Sequence, residues 1–102
     1  LIRRHHSRGA TIGAICAAPL LLHDAGILNG ARYTAHETVS GELTAIDAQE
    51  KVVVDGGLVT SRGAGTALEF SLRLISEVRG VEAANEIGRA IHYPSVNANE
   101  GL

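Results

Sequence analysis

The apolar positions along the chain fall into a few distinct patterns. Residues 10–15, ATIGAI, are uniformly apolar or small, with no period of two, as expected for a strand covered on both faces. After Cys16, AAPLLLHDAG reads as a helix, with Pro19 in its first turn and Gly26 just beyond its last. ILNG is then a turn, and ARYTAH, residues 31–36, is expected to be a short strand ending at His36. From 37 to 51 the pattern weakens into a polar loop. KVVVDGGLVTSR is the clearest hairpin, with two β-branched runs around Asp55-Gly56-Gly57.

A longer helix follows GAGT. Thr66 is placed as its N-cap, with Glu69 three residues on completing a capping box. Leu68, Phe70, Leu72, Leu74, Ile75 and Val78 give it a broad apolar face, and it is expected to end at Gly80. A last helix spans about 81–91, and residues 94–102 read as a loose tail. The order strand, helix, strand, hairpin, helix, helix predicts an α/β fold with a largely parallel sheet. The strands are too few for a sheet covered on both faces. That shortage, the helix-like opening and the lack of methionine lead us to expect the second half of a domain.

Composition narrows the classes. The chain has 102 residues, 45% of them hydrophobic, with a net charge of −2, which describes a globular chain. No run approaches a membrane span, so no membrane role is expected. LIRRHHSRG is the one strongly basic stretch. Without interleaved aromatics, and in an acidic chain, it reads as a solvated helix end capped by Gly9, and no nucleic-acid partner is expected. A single cysteine allows no internal disulfide and fits a reducing compartment. His5, His6 and His92 have no partners at metal-ligand spacing, so no metal is expected.

The chemistry centres on Cys16. A thiol at a strand-to-helix turn meets unpaired main-chain N–H groups, which favour the thiolate. Ala14, Ala17 and Ala18 supply the small neighbours that a sharp elbow needs. The bland alternative is a buried, inert cysteine. AICAAP resembles the nucleophile elbow of the ThiJ/PfpI superfamily, and especially its DJ-one (Parkinsonism-associated protein deglycase) branch. His36 in YTAHE follows 20 residues later, and VDGGLVTSRGAGT with the helix after it resembles a third motif of that family. Together they cover the carboxyl-terminal half of a family member.

The resemblance implies a flavodoxin-like doubly wound α/β domain, mostly parallel, with helices on both faces. It implies Cys16 as nucleophile, the Ala17 N–H as an oxyanion donor and His36 as an aid to proton transfer. Arg62 and Gly63 would line the pocket, Arg62 either orienting an anionic substrate or tying down the loop. The implied partners are an amino-terminal half carrying a glutamate beside the thiolate, a second copy in a homodimer, and a small aldehyde. Ala64 stands where the family usually has proline. The implied activity is that of a cytoplasmic glyoxalase or deglycase needing no cofactor. A redox-sensing chaperone using the same thiol is the other reading. Peptidase activity belongs to a branch with histidine directly after the cysteine, and Ala17 argues against it.

Overall fold

The computed structural model describes residues 1–93; the expected loose tail at 94–102 lies outside the described residues. Helix α1 (Ile2–Ser7) leads into strand β1 (Ile12–Ile15), followed by helix α2 (Pro19–Asp24). A hairpin of β2 (Val52–Asp55) and β3 (Leu58–Ser61) comes next, and then helices α3 (Ala67–Arg79) and α4 (Val81–Ala90). Short 3₁₀ turns at Glu37–Val39 and Ala64–Thr66 complete the described elements.

The three strands lie in the order β1-β3-β2. β1 runs parallel to β3, pairing Ile12 with Leu58 through Ile15 with Ser61. β2 runs antiparallel to β3, pairing Asp55 with Leu58 and Val52 with Ser61. The hairpin turns at Gly56, whose φ of +60° suits the first central position of a type II′ turn. The chain's own sheet is therefore mixed, its single parallel pairing made by the strand that ends at Cys16.

Contrary to the expectation drawn from so few strands, elements pack on both faces of the sheet. On one, Ala14 and Leu58 pack with Leu22 of α2 and with Leu28, Tyr33, Ala35, Val39 and Leu43. On the other lies α3, where a Cβ at Gly13 would come 3.0 Å from Phe70 and 3.2 Å from Leu74. The broad face expected for α3 is wider than the sheet beneath it: Leu72 is buried, while Leu68 and Val78 are more than half exposed. Helix α4 packs on α3 through the buried small residues Ala84 and Gly88. Gly9, at φ +75°, closes α1, with Arg3, Arg4 and Arg8 exposed, as the solvated-end reading expects.

Residues 31–36 do not form the expected strand. Their alternate N–H groups point one way, as in a strand, but only one of the three acceptors is a main-chain carbonyl. The Arg32 N–H donates to the Asp55 carboxylate, the Thr34 N–H to Thr60 Oγ1, and the His36 N–H to the Cys16 carbonyl. Two side-chain acceptors out of three make a tether in place of a ladder. The 37–51 stretch is irregular, as expected, yet it is not merely polar cover. Val39 and Leu43 are buried, and the Ala45 N–H donates to Tyr33 Oη.

Candidate active site

Cys16 follows directly on the last residue of β1. Its N–H donates to the Ser61 carbonyl at 3.1 Å, extending the parallel pairing by one step, and its carbonyl accepts from the His36 N–H at 2.7 Å. Its φ is +66°, a conformation that β-carbon-bearing residues enter at a cost of about 1–2 kcal/mol. Cys16 is exposed, so it is not the buried cysteine of the alternative reading. Main-chain bonds on both sides hold a strained turn that carries an exposed thiol.

The elbow differs in one respect from expectation. Helix α2 begins at Pro19, three residues beyond the thiol, and has only six residues. Pro19 brings no N–H, and the Ala18 N–H is bonded to the Ile15 carbonyl at 3.1 Å. Among the described residues, the Ala17 N–H, next along the chain from Cys16, finds no hydrogen-bond partner. The local donor is therefore one turn amide, and the short helix adds little of a macrodipole.

His36 sits at the end of the tethered 31–36 segment and caps the 3₁₀ turn Glu37–Val39, its Nδ1 accepting the Thr38 N–H at 3.1 Å. Its imidazole lies against Gly63, where a Cβ would sit 3.5 Å from Cδ2. Arg62 is committed to the protein itself. Nε donates to the Ala35 carbonyl at 3.1 Å, Nη1 to the Ala48 carbonyl at 2.8 Å, and Nη2 to Glu37 Oε1 at 3.4 Å. Of its two expected roles, this geometry is that of a tie binding β3 to the 35–48 segment. The Glu37 carboxyl is held below its ordinary range by its own main-chain N–H first, then by His36 and Arg62.

The capping box expected at Thr66 and Glu69 does not form. Thr66 Oγ1 instead takes the Gly63 N–H at 3.1 Å and touches Ser61 Oγ at 2.6 Å. The threonine serves the 3₁₀ turn before α3 because that turn intervenes between Gly63 and the helix proper. Its effect is to fix Gly63 beside His36. Thr38 and Glu37 were not among the residues singled out from sequence. The signal lay in their place, directly after a histidine at the end of an extended segment, where a cap is needed.

Cys16 and His36 are thus brought together through the main chain, with Ala17 at the elbow and Arg62 and Gly63 on the His36 side. Of two described cavities of about 220–230 Å³, one is lined by Glu37 and Arg62 on the His36 side and the other lies elsewhere, and Cys16 lines neither. Among the described residues, no group of three His, Cys, Asp or Glu side chains is placed to hold a metal, and no helix is long and apolar enough to cross a membrane.

The chain is similar to known proteins in sequence and in fold. The DJ-1/PfpI family model matches residues 1–77. Protein dj-1beta of Drosophila melanogaster is 38% identical over 95 residues, which are 89% of this chain and 50% of that protein. The glutathione-independent glyoxalase DJR-1.2 of Caenorhabditis elegans is 36% identical over 92 residues, 85% of this chain and 48% of that protein. The solved structure of oxidized Toxoplasma gondii DJ-1 superposes with a TM-score of 0.83 at 30% identity, over 91% of this chain and 52% of that one. The chain belongs to the DJ-1/PfpI family, and its fold is the flavodoxin-like α/β fold of that family. It spans about half the length of the curated relatives it matches.

Proposed function

We propose that this chain supplies the nucleophile-bearing half of a cysteine-dependent glyoxalase or deglycase acting on methylglyoxal or its adducts. The observation that carries the reading is the exposed thiol of Cys16 on a positive-φ elbow beside the Ala17 N–H. Cys16 Sγ attacks the aldehyde carbon. A C–S bond forms, the C=O π pair moves to oxygen, and that oxygen takes a proton to complete a hemithioacetal. A hydrogen then moves from this carbon to the neighbouring carbonyl carbon through an enediol, giving a lactoyl thioester. Water cleaves the C–S bond, releasing lactate and the thiol. One carbon is oxidised and its neighbour reduced, so the sum is methylglyoxal plus water and needs no external electron carrier.

The Ala17 N–H faces the developing oxyanion. The reading also takes in an amino-terminal half, a homodimer and a cytoplasmic setting, as the resemblance implies. The test is lactate formation from methylglyoxal by the intact protein. Cys16→Ala is expected to abolish it, and wild-type turnover in that variant would overturn the reading.

The exposure of Cys16 also favours a second use of the same sulfur, as a redox sensor or chaperone. Mild peroxide should then add two oxygens at Cys16 with no loss of melting temperature, because the elbow already opens to solvent and an amide donor. An unmodified thiol, or a large fall in melting temperature, would remove this alternative.

A further inference from the structure

The imidazole of His36 is fixed by a contact that decides which nitrogen carries its proton. His36 has extended backbone angles, φ −71° and ψ 144°, and stands as the N-cap of the turn Glu37–Val39. Its Nδ1 accepts the Thr38 main-chain N–H at 3.1 Å, and Thr38 Oγ1 lies 3.0 Å from the same nitrogen. An N–H can bond to a ring nitrogen only where that nitrogen offers a lone pair. The neutral ring therefore carries its hydrogen on Nε2. Nδ1 has its lone pair engaged, and Nε2, bearing hydrogen, has none to offer.

The surroundings keep the ring in this state. The His36 N–H is bonded to the Cys16 carbonyl at 2.7 Å, and the carbonyl of the preceding Ala35 is held by Arg62 Nε at 3.1 Å. Glu37 Oε1 is 3.9 Å from Nε2, beyond hydrogen-bond distance, and Arg62 Nη2 is nearer to that oxygen, at 3.4 Å. Among the described residues, Nε2–H has no acceptor, and about a third of the side chain is exposed.

We propose that His36 serves this site as a fixed hydrogen-bond donor through Nε2–H and not as a proton acceptor, its tautomer being set by the Thr38 main-chain N–H. The proposal rests on the aldehyde reading above and sharpens it. His36 would bond the hemithioacetal or enediol oxygen without gaining or losing a proton. The proton leaving carbon would pass to a base other than this ring. Thr38 is a positioning residue here, acting only through the ring.

Two measurements on the intact protein test the proposal. Long-range ¹H–¹⁵N correlation spectra of histidine-labelled protein should show Nδ1 of His36 as pyridine-like and Nε2 as pyrrole-like. The reverse tautomer, or fast averaging of the two, would overturn the assignment whether or not the protein turns over methylglyoxal. In kinetics, His36→Gln keeps an N–H near the Nε2 position and cannot relay a proton. It should recover at least tenfold of the rate lost in His36→Leu, a variant that should fall about 100- to 1,000-fold. Equal loss in both variants, with an active wild type, would overturn the donor role and leave the aldehyde reading standing. An inactive wild type would sink that reading and leave the tautomer to the spectra.

Discussion

The main-chain N–H of His36 donates to the main-chain carbonyl of Cys16 at 2.7 Å. The two residues that carry the proposed chemistry are joined without the help of either side chain. Replacing the imidazole should therefore leave its backbone in place. His36→Ala loses the cap on Thr38, a loss worth about 1 kcal/mol, and should remain folded while its turnover drops. Urea unfolding beside a turnover assay checks both. A variant that fails to fold would mean that the side chain, and not the main chain, holds the site.

Arg62 makes three bonds to the segment that carries His36, two of them to carbonyls. At about 0.5–1.5 kcal/mol for each net hydrogen bond, the two carbonyl bonds alone should make Arg62→Ala cost about 1–3 kcal/mol, the exposed Glu37 contact adding little. Arg62→Lys should recover little of this, because an ammonium cannot meet carbonyls on two sides of a planar fork. Unfolding of both variants measures it. A stable Arg62→Ala protein with a raised KM for anionic substrates would return the residue to the substrate-orienting role.

Glu37 adds a pH signature to the same cluster. Its folded carboxyl titrates below the ordinary value of 4.5, because its own main-chain N–H, and then His36 and Arg62, favour the ionised form. A lowered folded value means that the stabilisation is fully present above the unfolded value. It fades as pH falls below 4.5 and is gone once pH passes below the folded value. Glu37 is exposed, so the effect is small and screened by salt. At low ionic strength Glu37→Gln should lower the neutral plateau slightly and flatten the acid limb of the stability profile. Parallel limbs in the two proteins would rule the contribution out.

The parts of the fold written in local chemistry were legible in the sequence. Asp55-Gly56-Gly57 marked the hairpin, Pro19 and Gly26 bounded α2, and the small residues around Cys16 marked the elbow. The parts set by long-range pairing were not. Residues 31–36 have a strand's composition, but whether they join a sheet depends on what faces them, and here Asp55 and Thr60 side chains do. Thr66 followed by Glu69 has the form of a capping box. Ser61 and Gly63, brought close by the turn at Ala64–Thr66, take the threonine first. Arg62 could be read two ways until Ala35 and Ala48, 27 and 14 residues away, were seen to face it.

Gly13 tests how tightly α3 sits on β1. A Cβ there would press on Phe70 Cζ at 3.0 Å and on both Leu74 methyls at 3.2 Å. Gly13→Ala should destabilise by about 1–3 kcal/mol, as overpacking does. Leu74→Ala should cost less in that background than alone, since it vacates the space the new methyl needs. Additive costs in the double-mutant cycle would show that the two positions do not meet.

Cys16 is where stability and the proposed chemistry pull apart. At φ +66° any side chain with a Cβ is strained, and glycine is not. Cys16→Ala removes the sulfur but keeps the strain. Cys16→Gly removes both, recovering about 1–2 kcal/mol, while the extra freedom of glycine in the unfolded chain returns about 0.4–1 kcal/mol of that. The glycine variant should therefore be the more stable of the two by about 0.5–1 kcal/mol, the net of those opposing terms. Neither should turn over methylglyoxal. Differential scanning calorimetry of both variants decides the matter: an alanine variant that melts above the glycine variant would mean that the elbow is not held in the left-handed conformation. Such a result would remove the strained turn on which the exposed thiol is displayed.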